Sequence, residues 1–249
     1  MDGVLSQEEI NALLNNNDAA DSSDEILTES EKDAIGEIAN ISMGTAATTL
    51  FSLVNRRVEI STPVVSFSNW DKIVDEYEKP CVFIKIGYTQ GLNGSNILVL
   101  KEKDVKIITD LMMGGDGTNI NGEIGELHLS AISEAINQMM GSSATSLSSM
   151  LNRTIDISPP IAEVVDLKNT LNEGEIDSFL SEEFVKISFH MEIGDLVDSE
   201  IMQLYPPAFV KDMCKGVSQN MELDTQSVTE DVPQSSNTAT QAAPIQQPQ

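Results

Sequence analysis

The sequence predicts an α+β domain made of two copies of one α-β-β-β-α unit, with strands in a largely antiparallel sheet covered by helices. Three observations carry this. The stretch "DAIGEIANISMG" at residues 33 to 44 returns as "SAISEAINQMMG" at residues 130 to 141. Each copy is followed by runs rich in β-branched residues and bounded by turn signals. Each unit then closes on a second helical run, so the order of elements repeats rather than continues.

Taken in order, the first predicted element is a short N-terminal helix, "LSQEEINALL", within residues 1–15. Ser6 caps it and Glu9, three residues on, completes a capping box, while Leu5 and Ile10 are spaced as a hydrophobic staple. Ile10, Leu13 and Leu14 leave one narrow apolar edge. So short a helix is marginal alone in water, and its edge fits a groove on a partner or on its own domain. Residues 16–26 read as a flexible acidic linker.

The body spans residues 27–216, with the first copy at about 27–122 and the second at about 123–216. It opens on a second capping box, Thr28 with Glu31, and runs helically to about Val54. "VEISTPVVSFS", "CVFIKIGYT" and "SNILVLKE" read as three strands, the last two joined by "GLNGS". A helix over about 103 to 113 ends at the pair Gly114 and Gly115. Residues 217–249, rich in Gln, Ser, Thr and Pro, read as a disordered linker.

A shift of 97 holds the first half of the repeat in register. It carries Glu37 to Glu134, Asn40 to Asn137, Gly44 to Gly141, Asn55 to Asn152, Arg56 to Arg153 and Pro63 to Pro160. At 100° per residue Asp33, Glu37, Asn40 and Gly44 fall on one stripe, away from the centre of Ala34, Ile35, Ile38 and Ile41. Ser130, Glu134, Asn137 and Gly141 do the same, with Ile132, Ala135, Ile136 and Met139 supplying most of the apolar remainder. Glycine costs about 1 kcal/mol against alanine inside a helix, so two glycines at one offset point to close approach by another surface.

The formal charge of −26 argues against nucleic acid, whose phosphates require clustered Lys and Arg, and disfavours an anionic membrane surface. Residues 1 to 31 hold nine acids and no base, and all fourteen Lys and Arg lie between Lys32 and Lys215. No signal-peptide pattern or long apolar window is present, which predicts a cytoplasmic chain without membrane insertion. Cys81 and Cys214 lack metal or redox spacing and read as buried thiols. His128 and His190 lack partners at ligand spacing, so no metal site is predicted. The glycine-rich run at 112 to 123 has neither a Walker lysine nor calcium-loop spacing and reads as the connector between copies. Met139, Met140 and Met150 read as core.

The pattern D/S-xxx-E-xx-N, followed after twenty-two residues by Pro63 or Pro160, resembles the signature of the CheC, CheX and FliY family of phosphatases. Both copies fit it without a gap. The peptide at Leu5 to Leu14 is similar to the CheY-binding segment of FliM and FliY, and two intact motifs favour the FliY branch over FliM, whose middle domain lacks the paired Glu and Asn. The resemblance implies hydrolysis of the aspartyl phosphate of phosphorylated CheY. Asn40 and Asn137 would each accept a hydrogen bond from the attacking water, and Glu37 and Glu134 would pair with a lysine of CheY. No cofactor is implied on this chain, and Mg2+ is expected on the CheY substrate. The implied setting is the flagellar switch complex at the inner face of the membrane, with FliM, FliG and FliN-like proteins as partners. FliY proteins carry a FliN-like domain beyond the point where this sequence stops. The competing expectation is a non-catalytic switch scaffold that recruits phosphorylated CheY.

Overall fold

The computed structural model describes residues 26–77, 80–167, 174 and 176–227. The peptide helix of residues 1–15, including Leu5, Ser6, Glu9, Ile10, Leu13 and Leu14, lies outside the described residues. So does the linker beyond residue 227.

The predicted capping box starts the first helix, α1 (Glu29–Val54): Glu31 N–H donates to Thr28 Oγ1, and Thr28 N–H donates to the Glu31 carboxylate. The helix ends where Asn55 adopts a left-handed φ of 48° and returns its N–H to Phe51 O. Its counterpart, α4 (Glu126–Leu151), ends identically on Asn152, also at φ 48°. The repeated Asn thus marks a helix stop, since Asn tolerates αL better than other residues with a Cβ.

The run read as one strand over 58 to 68 is two, β1 (Val58–Ile60) and β2 (Val64–Ser68). Pro63 has no N–H to give a ladder, so pairing lapses there and resumes after it. A helix not predicted from sequence, α2 (Trp70–Glu76), follows; Asn69 caps it by accepting from Lys72 N–H. Then come β3 (Cys81–Gln90), β4 (Gly94–Lys101) and α3 (Glu102–Met112). The second copy supplies α4, β5 (Asp156–Ile157), β6 (Ile161–Val165), a 3-10 turn at Ser178–Ser181, β7 (Phe184–Ile193) and β8 (Val197–Tyr205). The last helix, α5 (Pro207–Ser227), runs past Gly216, where the sequence reading ends the body. A Cβ at Gly216 would come within 2.9 Å of Leu151, so this glycine serves close packing of α5 rather than termination.

All strand pairings are antiparallel, in the order β1-β7-β8-β4-β3-β5, with β2 also on β7 and β6 also on β3. The copies therefore interlock. Each gives its first two strands to the other's hairpin, and β4 joins β8 at the centre through Leu98 opposite Gln203. Alternation along the strands makes two cores. Val82, Ile84, Ile86 and Leu98 face α1, α3, α4 and α5, whereas Phe83, Ile97, Val99, Phe184 and Met202 face the smaller layer of Trp70, Ile73, Tyr77 and Leu180. Under the large helices Gln203 lies between Met43 and Met140, Nε2 standing 3.5 and 3.9 Å from their sulfurs. These methionines are themselves related by the shift of 97.

Candidate active site

α1 and α4 pack against each other on one face of the sheet, and each carries a Glu-x-x-Asn pair on its outer side. On α1 the inner positions Ile35, Ile38, Ala39, Ser42, Met43 and Ala46 are buried. That leaves Asp33, Glu37 and Gly44 exposed and Asn40 half-buried beside them. On α4 Ile132, Ala135, Ile136, Met139 and Met140 are buried. Ser130 and Glu134 are exposed there, and Asn137 and Gly141 half-buried. The predicted stripes are thus assembled in three dimensions, twice. Pro63 and Pro160 stand apart from them, at the breaks that separate β1 from β2 and β5 from β6.

The side chains within each stripe differ in what they touch. Neither Asn40 nor Asn137 has a side-chain hydrogen-bond partner among the described residues, so each carboxamide is open to a visitor. Glu134 is engaged: Gln138 Nε2 donates to its Oε1 across 2.7 Å. The i, i+4 spacing of that pair is legible in sequence and was the missed signal. Among the described residues the glycines serve no contact, because a Cβ at Gly44 or Gly141 would meet nothing within 4 Å.

Ile41 is also displaced from the predicted arrangement. Helical phase places it with the apolar face, yet it is 41% exposed beside Asn40, and Phe51 is 48% exposed. A cleft of about 620 Å³ runs from Gly44 and Phe51 to Val58, Ile60 and His190.

The histidines take structural places. Gly125 N–H donates to His128 Nδ1 at the start of α4, and His190 Nε2 lies 3.1 Å from Glu192 on the solvent face of β7. The glycine-rich connector is pinned by Asp110, whose buried carboxylate accepts from Gly117 N–H at 2.8 Å. Among the described residues, no three of His, Cys, Asp and Glu gather as a metal site, and no helix is long and apolar enough to cross a membrane.

The model of the CheC-like family matches residues 31–67 and 127–164, the two windows that contain the stripes and their prolines. The crystal structure of Thermotoga maritima FliY superposes with a TM-score of 0.71 at 41% identity, covering 78% of this chain and 99% of that one. The chain belongs to the CheC-like family. Within it, the flagellar motor switch phosphatase FliY of Bacillus subtilis is 48% identical over 214 residues, 84% of this chain. The chain spans 56% of that relative's length. The CheY-P phosphatase CheC of the same organism is 24% identical over 143 residues, which cover 55% of this chain and 67% of CheC. The CheC-like fold thus accounts for the interlocked sheet and for both windows of the repeat.

Proposed function

We propose that this chain is a flagellar motor switch phosphatase that binds phosphorylated CheY and hydrolyses its aspartyl phosphate. The observation that carries the reading is the duplicated outward Glu-x-x-Asn pair, with each Asn amide unpartnered among the described residues. The name of the Bacillus FliY supports phosphatase activity at the motor switch, and that of the Bacillus CheC supports phosphorylated CheY as the substrate.

The chemistry asks little of the enzyme. An acyl phosphate already holds a good leaving group, and on this reading its metal belongs to CheY. What remains is to place a water in line with the phosphorus. The Asn40 or Asn137 amide oxygen accepts a hydrogen bond from that water and orients its lone pair; the water oxygen bonds to phosphorus as the acyl phosphorus–oxygen bond breaks, freeing the Asp carboxylate of CheY and inorganic phosphate, whose oxygens take up the water's proton. Glu37 or Glu134, one turn earlier on the same rigid carrier, pairs with a cation of CheY and fixes the docking angle. No nucleophile or general base of this chain enters the scheme.

The peptide of residues 1–15 tethers phosphorylated CheY and raises its local concentration at the two helices. Assembly with FliM, FliG and FliN-like proteins would hold the chain at the cytoplasmic side of the basal body. The test is phosphate release from phosphorylated CheY by the parent, Asn40→Ala, Asn137→Ala and the double variant. Loss of one positioned hydrogen-bonding group costs about a hundredfold, so the double variant should fall to the rate of CheY alone. Parental turnover in the double variant would leave the scaffold reading in its place.

A further inference from the structure

The two copies present the same Glu and Asn on surroundings that are not alike. Next to Asn40 the α1 surface carries exposed Ile41 and, three turns on, exposed Phe51, which with Gly44, Val58 and Ile60 lines the 620 Å³ cleft alongside Glu59, His190 and Glu192. At the matching positions of α4 the residues are Gln138 and Ser148, and both are occupied. Gln138 holds the Glu134 carboxylate at 2.7 Å, whereas Glu37 has no hydrogen bond or ion pair among the described residues. Ser148 Oγ accepts from Ile155 N–H at 2.9 Å and donates to Ala144 O at 2.8 Å, drawing the following loop onto the helix. Ile155 is accordingly buried, while its counterpart Val58 is half-buried and lines the cleft.

We infer that the sites are unequal: the cleft beside α1 docks phosphorylated CheY through Ile41 and Phe51 as specificity residues, and turnover runs mainly through Asn40. This rests on the phosphatase reading above. The occupant follows from distance. Gly44 and Phe51 lie about 6 and 16 Å along the helix axis from Asn40 at 1.5 Å per residue. A specific interface covers roughly 800 Å² per partner, a patch about 30 Å across. A protein whose phosphate reaches the Asn40 amide must therefore cover Ile41 and Gly44 and extend to the cleft. Burying two exposed apolar side chains adds affinity there that Gln138 and Ser148 cannot supply. A Glu already satisfied within its own helix also gives less to an incoming cation.

The test separates the sites. With phosphorylated CheY as substrate, Asn40→Ala should reduce kcat/KM about tenfold more than Asn137→Ala does. In the Asn137→Ala background, Ile41→Gln with Phe51→Ser should raise KM about tenfold and leave kcat near its starting value. In the Asn40→Ala background, Gln138→Ile should lower KM, because it frees Glu134 and adds an apolar contact; a merely structural role would not produce that gain. Both α1 substitutions are at exposed positions, and unchanged urea midpoints would confirm the fold. Equal losses from the two Asn variants, or a KM indifferent to Ile41→Gln with Phe51→Ser, would overturn the inequality. So would a parental dimer that this pair dissolves, which assigns the cleft to a second copy. A KM lowered by deleting residues 1–25 would assign it to the chain's own N-terminal segment, with the same consequence. The double Asn variant keeps these outcomes distinct from failure of the phosphatase reading, since only that failure leaves its hydrolysis at the parental rate.

Discussion

Thr49 Oγ1 donates to Ser142 Oγ across 2.8 Å, so the helices that carry the two Glu-Asn pairs are joined by a direct hydroxyl contact. Ser142 passes its own proton on to Met139 O at 2.7 Å. The contact is made once rather than twice: Thr45, the counterpart of Ser142, donates to Ile41 O, and among the described residues no hydrogen bond joins it to Ser146, the counterpart of Thr49. Thr49→Val keeps the shape and removes the donor. It should cost about 1 kcal/mol, read as a lower urea midpoint at unchanged slope. An unmoved midpoint would mean that water replaces the bond at no loss.

Charge at the sites gives a second expectation. Glu37→Gln should raise KM for phosphorylated CheY severalfold with kcat nearly constant, since in the proposed scheme the lost interaction serves docking. Glu134→Gln should do so more weakly, because Gln138 already holds that carboxylate. Added salt should raise the parental KM and affect Glu37→Gln less. A fall in kcat alone would assign Glu37 to the chemical step instead.

The helix stops at Asn55 and Asn152 can be tested by backbone preference. At φ 48° glycine fits without a Cβ penalty, so Asn→Gly at either position should change stability by only a few tenths of a kcal/mol. Asn→Val should cost about 1–2 kcal/mol. Thermal or urea unfolding of the four variants decides it, and equal costs for Gly and Val would refute the left-handed cap.

Burial pushes the thiols of Cys81 and Cys214 up to about 11. An unfolded thiol titrates near 8.5, so between that pH and about 11 the unfolded chain has released protons that the folded state still holds. The thiols' contribution is therefore complete below pH 8.5 and declines as pH rises toward 11. The fall in unfolding free energy over that window should be shallower in Cys81→Ala with Cys214→Ala than in the parent. Parallel curves would exclude the thiols as its cause.

Where the sequence was legible, a local rule was sufficient. The Thr28-Glu31 box, the ends of α1 and α3, and the stripes of Glu37 with Asn40 and Glu134 with Asn137 all follow from spacings within a few turns of one helix. The β-formers over residues 58 to 68 read as one strand, whereas Pro63, lacking an N–H for the ladder, splits them into β1 and β2. Ile41 was misplaced because helical phase gives direction without saying where neighbouring elements stop covering the surface. The Gln138–Glu134 bond follows from i, i+4 spacing, but spacing alone does not say which exposed side chains on a helix meet each other rather than water.

By itself, the sequence determined that this protein has two matched helices, each with a carboxylate and a carboxamide on the face its apolar residues leave free. Tertiary structure alone decided that the copies exchange edge strands, that α1 and α4 lie side by side, and that a cleft lined by Phe51, Val58 and Ile60 together with Glu59, His190 and Glu192 lies beside α1. The physical reason is range. Helical periodicity and capping act between residues three or four apart, whereas β2 on β7 and β6 on β3 join residues of different copies through hydrogen bonds that any sequence with strand character can make. Which strands meet is settled by the whole core packing at once, and the unequal surroundings of Asn40 and Asn137 follow from that packing.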